Sequence, residues 1–205
     1  MILTTFNVQR GRRPDRVIDL PLLAETCASI ETDVLALQEV TEDQPPVIAA
    51  ACDMHVVFGP AIRGYGNALL SRHPIEEVEI VDLPFSRRRE PRSSILASTA
   101  GVTIAATHLG LRGDAVKQLP VLVVALLRRD GPRVLVGDLN TEDPDVTPLA
   151  LVAPQRTFPA DAPRHRIDHV AVDGLVVTSV AVLDEQRVGD HRPVMVTLEH
   201  EQRGE

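Results

Sequence analysis

Asn7, Glu39, His108, Asp138 and Asn140 each stand at or just after the end of an apolar run, and His191 stands just before one. Val34-Leu35-Ala36-Leu37-Gln38 leads straight into Glu39, Val102 to Thr107 leads into His108, and Arg133 to Val136 leads into Gly137-Asp138-Leu139-Asn140. A single polar residue after a buried strand is ordinary at the rim of a sheet. A set with complementary chemistry is harder to dismiss. Asn7, Glu39, Asp138, Asn140 and Asp190 offer carboxylates and amide carbonyls, the oxygen donors that hard divalent cations take. His108 and His191 can move protons at a reacting oxygen, and Asp168 can fix the tautomer of an imidazole acting as base. Cation, base and acid together meet the needs of phosphoester hydrolysis. Zinc suits the set less well: no cysteine accompanies these residues, and no two histidines share the short helical spacing of zinc sites. Mg²⁺ or Mn²⁺ is the better match.

The elements that must position these groups follow from pattern. Ile2–Asn7 reads as a strand ending in its amide. Val17 to Ile30 has apolar residues at helical spacing, with the helix opening near Pro21. A second short helix is expected over Pro45 to Cys52. Strands are expected at His55–Phe58, Asn67–Leu70, Glu77–Leu83, Ser93–Ser98 and Val102–Thr107, punctuated by glycine and proline. A helix from Asp114 to about Arg129 should be kinked or split by Pro120. Arg133–Val136 is the next strand, Asp145 to Val152 reads as a short helix, and Ile167–Val172, Leu175–Val182 and Val194–Leu198 close the series. Strand, helix, strand and further antiparallel-looking strands occur twice over. That theme predicts two similar halves whose sheets face each other with helices outside.

With 205 residues, the chain fits one domain, 1–205. It is 44% hydrophobic but only 2% aromatic, so the core must be aliphatic. Net charge is −8, which argues against a non-specific nucleic-acid coat. Lys117 is the only lysine, and the arginines cluster at Arg10–Arg16, Arg87–Arg92 and Arg164–Arg166, a residue type suited to planar phosphate contacts. Cys27 and Cys52 lie in apolar stretches and are expected to be free buried thiols. No leader and no membrane-length apolar run is visible, so a cytoplasmic monomer without integral membrane contact is the expectation.

Phe6-Asn7-Val8, Leu37-Gln38-Glu39-Val40, Gly66-Asn67-Ala68-Leu69-Leu70-Ser71-Arg72, Thr107-His108-Leu109, Gly137-Asp138-Leu139-Asn140, Arg166-Ile167-Asp168-His169-Val170 and Gly189-Asp190-His191-Arg192-Pro193-Val194 occur in that order. Together they resemble the endonuclease/exonuclease/phosphatase superfamily, which includes deoxyribonuclease I-like enzymes and bacterial sphingomyelinases. The resemblance implies a four-layer α/β/β/α sandwich with two facing, mainly antiparallel sheets. It implies Glu39 as main metal ligand, with Asn7 and Asp190 on the metal or its waters. His191 would be the general base, oriented by Asp168. Asp138 and Asn140 would hold the attacking water and a phosphate oxygen, and His108 would contact the phosphate or leaving oxygen. The implied activity is a divalent-metal-dependent phosphodiesterase or phosphomonoesterase using direct water attack. A DNA or RNA nuclease with the same site, and a non-catalytic binding protein on the same fold, are the rivals.

The chain departs from the family in carrying Gln9 where many nucleases have Asp, and its shortness implies that large DNA-inserting loops are missing. Short loops and acidity lean toward a small substrate, though a lipid headgroup or nucleic acid stays open. Arg63, Arg112 and Arg164 are candidates for phosphate recognition. Arg92 either pairs with Glu90 or binds phosphate. Tyr65 and Phe158 read as loop anchors, and alternation turns His169 away from the face of Asp168.

Overall fold

In this computed structural model, residues 1–111, 113–152, 154–184 and 187–201 are described. Alternating apolar residues give two sheets of six strands. One runs β11 (Leu175–Val182), β12 (Val194–His200), β1 (Ile2–Asn7), β2 (Val34–Thr41), β4 (Tyr65–Ser71), β3 (His55–Ile62). The other runs β5 (Ile75–Leu83), β6 (Arg92–Thr99), β7 (Val102–His108), β8 (Arg133–Asp138), β10 (Asp168–Asp173), β9 (Ala150–Val152). Neighbours are antiparallel except β1/β2 and β7/β8. A parallel pair needs a long crossover, and α1 (Leu20–Ala28) and α3 (Gly113–Leu127) supply the two. Strand directions therefore match position for position between the sheets, which bears out the two-half reading.

Three apolar layers follow. Leu3, Val34, Ala36 and Val196 of one sheet meet Ile95, Ile104, Val134 and Val170 of the other. Phe6, Leu35 and Leu37 look outward onto α1 and α2 (Gln44–Cys52), while Ala105 and Leu135 look outward onto Leu119, Leu122 and Leu126 of α3. The result is the expected sandwich of helices, sheet, sheet and helix. Cys27 and Cys52 are free and buried in the α1/α2 layer, where burial pushes the Cys27 thiol up.

Two expectations need correction. Asp145–Val152 is not a helix; Val146 and Leu149 tuck against the α3 layer, and Ala150–Val152 form β9 on the free edge of β10. Pro148 would remove a helical hydrogen bond and clash with the preceding turn, while β10 offers a ladder to pair with. The helix around Pro120 is neither split nor ended there, because Gly113–Leu127 runs through it. Pro120 and Val116 lie on the solvent face, so the carbonyl left without its N–H partner can be hydrated. Among the described residues no helix is long and apolar enough to cross a membrane.

Candidate active site

One rim of the sandwich gathers the polar set. The parallel strands β1 and β2 bring their carboxyl ends there with Asn7 and Glu39; β7 and β8 do the same with His108 and Asp138. β10 runs the other way and begins at Asp168. Register places Asp138 opposite His108 on one side and opposite Asp168 on the other. Gly137 makes this row possible: its φ is 144°, and a Cβ there would lie 1.9 Å from the Thr107 carbonyl oxygen.

Glu39 reaches the rim through a bulge. Leu35, Leu37 and Val40 all face the helices, so Gln38 and Glu39 must share the inner side. The β2/β4 register slips between Leu37 and Val40, and Glu39 has a left-handed φ of 59°. For a non-glycine residue such a conformation costs about 1–3 kcal/mol and is held by its surroundings. Thr5 Oγ1 donates to Gln38 Oε1 at 3.1 Å, which pins the residue beside the bulge.

Asn7 joins the two sheets. Its Nδ2 donates to Asp138 Oδ2 at 3.0 Å, with Glu39 Oε1 at 3.4 Å. His191 enters from the loop before β12, and its Nδ1 pairs with Asp168 Oδ2 at 2.8 Å. That leaves Nε2 facing Asp138 Oδ2 at 3.8 Å and Asp190 Oδ1 at 3.9 Å. His108 Nε2 is 3.4 Å from Asp138 Oδ2, and its Nδ1 is 4.0 Å from Glu39 Oε1. The Asn140 backbone N–H donates to Asp138 Oδ1 at 3.0 Å, while its Nδ2 donates to the Leu109 carbonyl at 2.8 Å. In this geometry the Asn140 side chain braces the β7 and β8 ends.

The charge balance is unusual. Burial, then the neighbouring Asp168 charge, pushes Asp138 up to about 7. Burial alone would lower His191, but the Asp168 charge and hydrogen bond, helped by Asp138 and Asp190, outweigh it and raise the imidazole to about 9. His108 is held well below the ordinary histidine range by burial, Arg92 and His191. Burial raises Asp190 too, with Glu39 adding to it. The His191 charge opposes both rises without cancelling them, so the carboxylates carry more negative charge than the imidazolium offsets.

A divalent cation fits that need, and the donors are the oxygen atoms such an ion prefers. Asp138, Asp168 and His191 form the tightest cluster, their ligand atoms lying within 4.8 Å of one another. Yet Asp168 Oδ2 is already used twice, by His191 and by Thr157 Oγ1 at 2.5 Å. Its Oδ1 is buried without a hydrogen-bond partner, and Glu39 and Asp190, more open to solvent, offer further oxygens to such an ion.

Several contacts were not legible in sequence. Thr157, fully buried, reaches Asp168 from an irregular loop. Phe158 lies over the His191 ring at 4.8 Å between centroids, so its anchoring role is on that imidazole. The Tyr65 phenol is pushed up by burial and by Glu39 beside it. Gln9, standing where a carboxylate is common, instead donates through Nε2 to Asp190 Oδ2 at 2.9 Å. His169 is turned away, as alternation requires, and pairs through Nε2 with the Thr141 carbonyl at 2.8 Å. Of the arginine candidates, Arg63 is exposed in the β3–β4 turn and Arg164 is exposed in the loop before β10. Among the described residues, neither side chain makes a hydrogen bond or ion pair with the cluster. Arg112 lies outside the described residues. Arg92 does pair with Glu90, at 3.4 Å.

A four-layer sandwich with carboxylates, amides and an aspartate–histidine pair on one rim has the plan of a phosphoester hydrolase. The chain belongs to the Endonuclease/Exonuclease/phosphatase family, matched over residues 4–191. Members of that family are hydrolases of phosphoesters and are generally metal-dependent. No curated protein matches the chain by sequence. Among solved structures, an endonuclease/exonuclease/phosphatase from Beutenbergia cavernae is 25% identical, with TM-score 0.78, covering 98% of this chain and 71% of that one. A mannosyl-6-phosphatase from Bacteroides thetaiotaomicron is 18% identical, with TM-score 0.80, covering 97% and 99%. A 3′ phosphatase from Neisseria, bound to a product DNA hairpin, is 21% identical, with TM-score 0.72, covering 97% and 99%. The last two likenesses speak to fold alone.

Proposed function

We propose that this chain hydrolyses a phosphoester by direct attack of water, with Mg²⁺ or Mn²⁺ held by Glu39, Asp190 and the Asn7 carbonyl oxygen. The observation that carries the reading is the His191–Asp168 pair, with Nε2 turned toward Asp138 and the Glu39 carboxylate across the same cleft. When bound, the cation would offset charge on the phosphate and the departing oxygen.

The chain's own residues account for the proton and the positioning. Asp168 fixes His191 with Nδ1 protonated; in the metal-free protein the acidic cluster keeps the imidazole cationic up to about 9, and a bound cation would offset that cluster and free Nε2 to take the proton of water. Asp138 Oδ2 lies on the same side and orients that water. Asn7 and Asn140 hold Asp138 in place through its two oxygens. His108 stays neutral because of burial and can donate a hydrogen bond to the phosphate or leaving oxygen. No side chain serves as a covalent nucleophile in this arrangement.

For the substrate we favour a compact phosphorylated molecule over a long duplex. The net charge of −8 supports that reading. The fold is shared with a mannosyl-6-phosphatase and a 3′ phosphatase, so it accommodates monoester cleavage as one form of the reaction. A panel of inositol phosphates, a hexose phosphate, sphingomyelin, RNA, plasmid DNA and abasic DNA, each with and without EDTA, tests it. Hydrolysis of a small phosphoester, abolished by EDTA and restored by Mg²⁺ or Mn²⁺, is the expected result. Preference for plasmid or abasic DNA, falling steeply with salt, would select the nuclease reading. Absence of hydrolysis together with no divalent-ion binding would overturn the proposal.

A further inference from the structure

The outer face of α3 turns an apolar row to solvent. Val116, Val121 and Val124 are 73%, 42% and 50% exposed, and Pro120 among them is exposed too. Apolar residues scattered singly over a surface are ordinary, but four on one face of one helix mark a contact surface. Val116, Pro120 and Val124 recur every four residues and so line up along the helix. Arg128, exposed in the turn after the helix, continues the row. Beside its first half lies a cavity of about 250 Å³, with Val116, Leu119 and Pro120 on one wall and Asp143, Pro144 and Asp145 on the other. Asp143 is engaged by Arg166 at 3.3 Å. Asp145 accepts the Thr147 N–H at 3.2 Å and has no cationic partner among the described residues. Arg128 has no acidic partner among them. Pro120 adds an acceptor: it has no N–H, so the Val116 carbonyl lacks its usual helical donor.

We propose that this face docks on the same face of a second copy of the chain, α3 against α3 in antiparallel order about a two-fold axis, with Arg128 of each copy in the Asp145 cavity of the other. A two-fold interface must be self-complementary, and this row is. Antiparallel order sets Pro120 opposite Val124 and Val116 opposite Arg128, each pairing occurring twice. The apolar pairs meet at the centre and the charged ones at the two ends. The stem of Arg128 lies along Val116 and Leu119, as long cationic side chains do on apolar surface. Its guanidinium reaches the Asp145 carboxylate, a charge-assisted bond, and supplies a donor for the Val116 carbonyl. The charges single out a copy of this chain as the occupant: an exposed cation without an acid and an exposed acid without a cation belong to opposite ends of one row. The 15 residues of α3 make a face about 22 Å long and about 10 Å wide. Two such faces with their flanking loops reach the low end of specific interfaces, about 1,200 Å² in total. Association of about micromolar strength is therefore expected, in place of the monomer expected from sequence. α3 forms an outer layer on the second sheet, so the pairing does not depend on the phosphoesterase reading.

Sedimentation equilibrium of the full chain over rising protein concentration tests the pairing. The wild type should pass from the mass of one chain to that of two and stop there. Arg128→Glu and Asp145→Arg should each weaken the dimer at least tenfold, and the double reversal R128E/D145R should restore it to within threefold of wild type. Val124→Glu should also weaken it at least tenfold. That change puts a good helix former at an exposed position, so it guards against a charge reversal that fails to fold. A wild type that keeps the mass of one chain throughout would overturn the proposal and leave the face to some other protein. A mass that climbs past two chains would overturn the two-fold arrangement. A dimer indifferent to Val124→Glu, or one that the double reversal fails to restore although the protein is folded, would place the contact elsewhere and overturn it too.

Discussion

His191 is the residue on which the proposed chemistry turns. Loss of a general base or of a main electrostatic stabiliser lowers turnover by about 10²-fold or more, so His191→Ala and Glu39→Ala should each do so in steady-state assays of the active substrate. Near-wild-type turnover by either variant would remove that residue from its role. The state of the imidazole can be read directly. In EDTA its NMR titration should centre near 9, raised against burial by Asp168. Asp168→Asn leaves burial acting with less opposition, so the titration should fall to the ordinary histidine range or lower. A midpoint still near 9 would show that other groups hold the proton. These residues could be found in sequence because each sits in a short motif at a strand end. Thr157 and Phe158 could not, because neither has a local signal; they matter only through the fold that lays their loop over Asp168 and His191.

Strand ends gather these groups, so the elements hold the site through backbone geometry. Gly137 is the clearest point. Any Cβ there would meet the Thr107 carbonyl oxygen, and the φ of 144° is open to glycine alone in practice. Gly137→Ala should cost about 3 kcal/mol, the upper end for forced overpacking, and should separate His108 from Asp138. Urea unfolding reads the first effect and turnover the second; a variant of wild-type stability would mean that β7 and β8 tolerate a wider spacing. Most elements were legible because period-two alternation and glycine or proline punctuation mark strands well. The stretch around Val146, Leu149 and Leu151 misled because apolar spacing in so short a run suits helix and strand alike, and the deciding factor was the open edge of β10. The bulge at Glu39 was also hidden. Its signal is that Leu35, Leu37 and Val40 pack on one side, a fact of packing rather than of sequence.

For the molecule as a whole, the acidic rim links protons, cation and stability. His191 has a raised folded value, so its contribution is fully present below about 6.5 and is lost as pH rises through about 9. Asp138, raised to about 7, likewise binds its proton more tightly in the fold, so folding is disfavoured as pH climbs from about 4 to about 7. The metal-free protein should therefore lose melting temperature between pH 6 and pH 9.5 relative to an Asp168→Asn variant. Added Mg²⁺ should raise Tm more at pH 9 than at pH 6, because fewer protons compete for the carboxylates. Equal gains at both pH values would mean that the ion binds elsewhere.

The Asn7–Asp138 hydrogen bond, 3.0 Å long, ties strands that are 131 residues apart in the chain and belong to opposite sheets. It acts as a latch where the aliphatic filling of the sandwich gives out. An ion or anion seated on it should keep the two leaves from parting, so deuterium uptake at the ends of β1 and β8 should slow in concert when the cleft is filled, and Asn7→Ala should uncouple the two.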